Sequence, residues 1–129
     1  PMPRRLTPLL VVAPALLLAA CGSGTSAPAE TLPADVDLLV KAVPSLKFDK
    51  EDYGTVKAGE ILFGYTNEDS VRHTLIIARD DQKVPNFKLA IEKKGDNDSG
   101  PVSLEPGKYV LICDVPGHSN MKATLTVEQ

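Results

Sequence analysis

At 129 residues the chain can bury one substantial core and not two. Its 14 basic and 17 acidic side chains leave a formal charge of -3, which argues against nucleic acid as a partner, because a phosphate-binding face needs a basic surplus. With only 2 Cys and 2 His, any chemistry that needs thiolate or imidazole donors must draw on Cys21, Cys113, His73 and His118.

At the N-terminus Arg4 and Arg5 precede an apolar stretch from Leu6 to Leu18, and Leu18-Ala19-Ala20-Cys21 closes it with small residues. The stretch is too short for a membrane span and is broken by Pro8 and Pro14, so residues 1–20 are predicted to be a secretory signal. Ala19-Ala20-Cys21-Gly22 resembles the lipobox of bacterial lipoproteins. That resemblance implies lipidation of Cys21 and attachment to a membrane through the lipid; an ordinary signal peptide ending beside a cysteine is the plainer alternative. From Gly22 to Ala34 the residues are mainly Gly, Ser, Thr, Ala and Pro, a composition that cannot pack a core, so residues 21–34 are expected to form a flexible tether. Residues 35–129 remain as a single domain.

Within that domain, Asp35 to Val43 carries Val36, Leu38, Leu39, Val40 and Ala42 and fits either a short helix or a first strand; Pro44 ends it in both cases. Short runs of period two then follow, separated by turn residues, which is the pattern of an all-β sandwich. Leu46 and Phe48 alternate with charged neighbours, and Gly54 to Val56 runs into the turn Lys57-Ala58-Gly59-Glu60. Ile61, Phe63 and Tyr65 share one face before the polar loop Thr66-Asn67-Glu68-Asp69-Ser70. His73, Leu75 and Ile77 share the face of the next strand, so this imidazole points where the apolar side chains point. Phe87, Leu89 and Ile91 form another amphipathic run, and Lys93 to Pro101, crowded with Gly, Asp, Asn and Ser, is expected to be a surface loop. Val102 and Leu104 lead to the turn Glu105-Pro106-Gly107; Tyr109, Leu111 and Cys113 again share one parity, and Met121, Ala123, Leu125 and Val127 alternate with polar residues toward the end.

If Cys21 carries lipid, Cys113 is an unpaired thiol in an exported protein. Such a thiol is a liability unless buried or committed to a metal. Cys113, His118 and Met121 lie close together in sequence, and all three, with His73, are predicted to face inward at strand ends. A thiolate and two imidazoles, with a thioether at longer range, is the donor set of electron-transfer copper. Pro116 and Gly117 between Cys113 and His118 force a turn, the proline fixing one dihedral and the glycine permitting positive φ. A backbone amide near Thr74 is expected to donate to the cysteine sulfur. Asp114, next to the cysteine, fits a loop-bonding carboxylate. Zinc would accept Cys113, His73 and His118 but is poorly served by a Met. No acid–base pair or activated nucleophile is visible in the sequence, so an enzyme is not expected.

These residues resemble the cupredoxin family, the type 1 blue-copper proteins. The likeness runs from Val56-Lys57-Ala58-Gly59-Glu60 through Tyr65-Thr66-Asn67 and His73 to Leu104-Glu105-Pro106-Gly107-Lys108-Tyr109 and Cys113-Asp114-Val115-Pro116-Gly117-His118. It implies an all-β Greek-key sandwich or barrel holding one copper ion on His73, Cys113 and His118, with Met121 as the axial ligand and Thr74, Asp114, Pro116 and Gly117 as supporting residues. It further implies a monomer that passes single electrons between transient donor and acceptor proteins outside the cytoplasm. The chain departs from the family pattern in having Thr74 where Asn often follows the first ligand, and in having only Ser119 and Asn120 between His118 and Met121. The binuclear copper site of cytochrome oxidase needs a second loop cysteine, which is absent here. A lipid-anchored Cu(I) acceptor or carrier, and a copper-free structural sandwich, are the alternative functions.

Overall fold

The computed structural model describes residues 31–129, and these form strands, turns and loops with no helix among them. The predicted signal at residues 1–20, Cys21 and most of the tether lie outside the described residues. Ten strands follow in order: β1 (Leu38–Val43), β2 (Lys47–Phe48), β3 (Asp52–Lys57), β4 (Gly59–Asn67), β5 (His73–Arg79), β6 (Gln82–Lys83), β7 (Leu89–Ile91), β8 (Asn97–Leu104), β9 (Gly107–Ile112) and β10 (Lys122–Glu128). One sheet has the order β2-β1-β4-β8, the other β3-β10-β9-β5-β6 with β7 also paired to β5.

Between Asp35 and Val43 the structure chooses strand over helix. Val40 and Ala42, two residues apart, are fully buried, and β1 runs parallel to β4 with Val40 opposite Tyr65. A period of two is what a strand buries. Just before it, Leu32 and Val36 close over Gly64, where a Cβ would come within 3.2 Å of Val36.

The core lies between the sheets. Ile61, Phe63 and Tyr65 of β4 face Leu75 and Ile77 of β5, Tyr109 and Leu111 of β9, and Ala123, Leu125 and Val127 of β10. Phe87, in the loop before β7, packs its ring 5.3 Å from that of Phe63. Each such aromatic or branched side chain taken fully out of water contributes about 1.5–3 kcal/mol.

Lys93 to Pro101 is not a loop throughout. Asn97 to Pro101 belong to β8, paired antiparallel with β4. Turn-forming residues are tolerated because β8 is an edge strand with one paired side. Leu62, opposite Pro101, sends its own N–H and C=O toward Asp37 on the β1 side. Pro101 therefore sits at a position whose nitrogen points away from β4, and its missing donor costs no ladder bond.

The topology also explains how the site is gathered. β5 pairs antiparallel with β9 through Ile76 and Ile112, and β9 pairs antiparallel with β10 through Ile112 and Lys122. The start of β5, the end of β9 and the start of β10 thus lie at one end of the same sheet, bringing His73, Cys113 and Met121 together.

Candidate metal centre

His73, Cys113 and His118 offer ligand atoms that all lie within 4.8 Å of one another, and all three residues are buried. The two imidazole rings are tilted by 47° with centroids 4.9 Å apart. Cys113 Sγ lies 3.6 Å from Nδ1 of His118. Nδ1 of His73 is buried without a hydrogen-bond partner, alone in this among the described residues. A buried polar atom left unpaired is costly unless something absent from the protein chain satisfies it. An ion held by Cys113 and His118 would do so, and the three side chains are positioned for one metal ion. Met121 is 1% exposed and stands one residue before β10; its amide donates to the carbonyl of His118 at 2.9 Å.

Each donor is held differently. His73 opens β5 and inherits the inward parity of Leu75 and Ile77. Cys113 continues the inward row of Tyr109 and Leu111 one step past β9. His118 sits on the connecting loop, where Gly117 has φ +87° and the amide of His118 donates to the carbonyl of Val115 at 3.0 Å. Here the glycine is required, since a side chain disfavours that backbone conformation.

The sulfur receives the predicted amide, Thr74 N donating to Cys113 Sγ at 3.4 Å. The departure at Thr74 is compensated in a way the sequence does not suggest. Its hydroxyl is 3.5 Å from the sulfur but much closer to Asp114 Oδ1, to which it donates, so its single proton goes to the carboxylate. The same oxygen accepts the Asp114 amide at 2.9 Å. Thr74 and Asp114 therefore clamp the first ligand's strand to the residue after the cysteine. Lys88 lies 3.1 Å from the other oxygen of Asp114. The bond from Thr74 outweighs partial burial and, with Lys88, holds the Asp114 carboxyl below its ordinary range. Behind the site, Tyr65 of the opposite sheet donates to the carbonyl of Thr74 at 3.1 Å.

Asp69 is the site residue that sequence reasoning misses. Its neighbours are those of a polar surface loop, yet it is 9% exposed and its Oδ2 lies 2.9 Å from Nε2 of His73. Buried Asn67 organises that loop: its side-chain oxygen accepts the Asp69 amide at 2.9 Å, and its Nδ2 donates to the carbonyl of Val71 at 2.8 Å. The polar composition of Thr66 to Ser70 conceals this burial. The one signal that could have found it is the four-residue spacing of an acid before a histidine at the start of a strand.

Asp69 and His118 also titrate away from their ordinary values. Burial alone would push the Asp69 carboxyl up, but hydrogen bonds from His73 and from the Ser70 amide outweigh it and leave the group low. His118 is also lowered, first by burial and then by repulsion from His73, so its imidazole is largely neutral at pH 7 and free to act as a donor.

No protein-family model matches the chain, and no curated protein matches it by sequence. Solved structures do match in fold. Auracyanin from the photosynthetic bacterium Roseiflexus castenholzii is 19% identical with a TM-score of 0.61, over 75% of this chain and 100% of that one. Auracyanin A from Chloroflexus aurantiacus, described as a "blue" copper protein, is 17% identical with a TM-score of 0.58, over 70% and 96%. A purple cupredoxin from Nitrosopumilus maritimus is 19% identical with a TM-score of 0.55, over 71% and 100%. The chain has the cupredoxin fold. The resemblance read from the sequence is thus matched by the architecture.

Proposed function

We propose that this protein is a type 1 copper protein that carries single electrons between redox partners outside the cytoplasm. The observation that carries this reading is the buried, unpartnered Nδ1 of His73, on a residue that clusters with Cys113 and His118. His73, Cys113 and His118 would hold the ion, with Met121 as a weak axial ligand. Copper bound there would supply a one-electron couple, Cu(II) to Cu(I) and back, with no bond made to the partner. Thiolate and imidazole serve both oxidation states.

The remaining work falls to the chain. The Thr74 amide would temper the charge on the cysteine sulfur, and the Thr74–Asp114 clamp would keep the donors from moving apart as the charge of the site changes. His118 is 8% exposed, on a loop from Val115 to Met121 that carries no Lys, Arg, Asp or Glu, and Pro116 and Gly117 beside it are exposed. An uncharged loop over a ligand just below the surface suits brief docking with a redox partner. Secretion by residues 1–20, lipidation at Cys21 and a monomeric state complete the proposal, resting on the lipobox-like residues and on the resemblance.

The test is a visible absorption and electron-spin-resonance spectrum after Cu(II) addition, repeated for Cys113→Ser. An intense thiolate-to-copper band with narrow hyperfine splitting, both lost in the variant, is the expected result. Uptake of Cu(I) with no coloured Cu(II) form would make the protein a copper carrier instead, and no copper uptake at all would leave a structural sandwich.

A further inference from the structure

We propose that Asp69 is a positioning residue that fixes the tautomer of His73 and biases the site toward the oxidised metal. The inference deepens the copper reading and, in its second part, rests on it.

An ionised carboxylate can only accept hydrogen bonds. With Oδ2 at 2.9 Å from Nε2 of His73, the proton of the neutral ring belongs on Nε2, and Nδ1 is left with a bare lone pair. That is the nitrogen buried without a partner in the cluster. Unheld, a neutral imidazole would divide its proton between the two nitrogens, and the Nδ1–H form cannot offer Nδ1 to a metal. Asp69 removes the wrong form before any ion arrives.

The carboxylate is itself held on both sides. Asn67 takes the Asp69 amide, Oδ1 accepts the Ser70 amide at 2.7 Å, and Asn67 is tied through its backbone to Asp96 and Gly95. Its side chain is not free to follow a moving ring.

Its charge is uncompensated, unlike that of the other carboxylate at the site. Asp114 is paired with Lys88 at 3.1 Å, whereas among the described residues Asp69 makes no ion pair with Lys or Arg, its one charged-group contact being His73. A negative charge delivered through an imidazole makes that ligand more basic and favours the more positive metal state. The midpoint potential is therefore held lower than the same ligand set would give alone.

The experiment has one readout that needs no copper and one that does. Nitrogen chemical shifts of the His73 ring in the copper-free protein should report only the Nε2–H tautomer. In Asp69→Asn, whose amide can donate to Nε2, and in Asp69→Ala, the Nδ1–H form should appear. In the copper-loaded protein Asp69→Asn should raise the midpoint potential, the ratio of Cu(II) to Cu(I) affinity falling about tenfold, equivalent to about 59 mV. A wild-type ring protonated at Nδ1, or variants that keep both the wild-type tautomer and the wild-type potential, would overturn the proposal. If the wild type fails to bind copper, the copper reading falls while the ring shifts still decide whether Asp69 positions His73.

Discussion

The candidate centre is made of two halves that are built on different principles. The β5 half, with His73 and Thr74, is held by polar side chains: Asp69 on one ring nitrogen, Asp114 on the threonine hydroxyl, Tyr65 on the backbone carbonyl. The loop half beyond the Asp114 clamp, from Val115 to Met121, is held by a bend and two backbone hydrogen bonds, from the amides of His118 and Met121. The first half is completely buried at His73, whereas in the second His118, 8% exposed, lies just under a bend whose Pro116 and Gly117 are exposed. A site that must stay rigid and yet be approached can divide the two duties between a strand and a loop.

That contrast can be broken most directly at the two histidines. Both His73→Ala and His118→Ala should abolish the type 1 spectrum, but their effects on the copper-free fold should differ. Removing His73 leaves a cavity at full burial and strips Asp69 of its partner, costing about 2–4 kcal/mol in urea denaturation. Removing His118, buried but without a carboxylate partner, should cost less, about 1–2 kcal/mol. Equal losses would mean that the two halves are not differently built.

A somewhat smaller effect is expected at the clamp. Thr74→Val keeps the shape of the side chain but deletes the hydroxyl, leaving the Asp114 amide and carboxylate each short of one bond, and should cost about 1–2 kcal/mol. On the loop half, Gly117→Ala should cost about 1 kcal/mol through backbone strain alone, since a Cβ there would meet nothing within 4 Å. Thermal unfolding of the copper-free variants separates the two.

The weakest effect should be the pH dependence of the copper-free protein. His118 is lowered from its ordinary 6.5, so as pH falls below that value the unfolded chain takes up the proton first. The stability it contributes is present above about pH 6.5 and is lost on acidification. Asp69 and Asp114, both lowered from 3.8, add a second loss below about pH 4 by the same rule. Denaturation midpoints measured from pH 8 to pH 3 should fall in these two stages, and His118→Ala should erase the first while keeping the second.

The loop half is largely legible in the sequence. Cys113, His118 and Met121 are close together in the chain, and the parity of Cys113 with Leu111 and of Met121 with Ala123 announces which way those two face. His73 is legible for the same reason, because it shares a face with Leu75 and Ile77. What surrounds His73 is not. Asp69 and Asn67 sit among polar neighbours, and composition cannot distinguish a solvated carboxylate from one buried against a ring. The Thr74–Asp114 clamp joins residues distant in sequence, and only the β5–β9 register makes them neighbours. The sheet order is equally hidden. The parallel pairings of β1 with β4 and β3 with β10 depend on how distant segments meet, and alternation reports a strand's faces without naming its partners. At Asn97 to Pro101, turn-forming composition masks a strand because an edge accepts residues that a central position rejects.

That edge has a bearing on how the molecule behaves beside other copies of itself. Along β8, Ser99, Pro101 and Ser103 turn their backbone outward, as the pairing of their opposite residues on β4 requires. Pro101 has no proton to offer, and the amide of Ser99 is already taken by the side chain of Asp98 at 2.8 Å. An exposed edge with free donors templates the addition of a foreign strand, which is how soluble β-proteins assemble into fibres. Here an incoming strand would find two of those three donor positions closed, which disfavours strand addition at this edge.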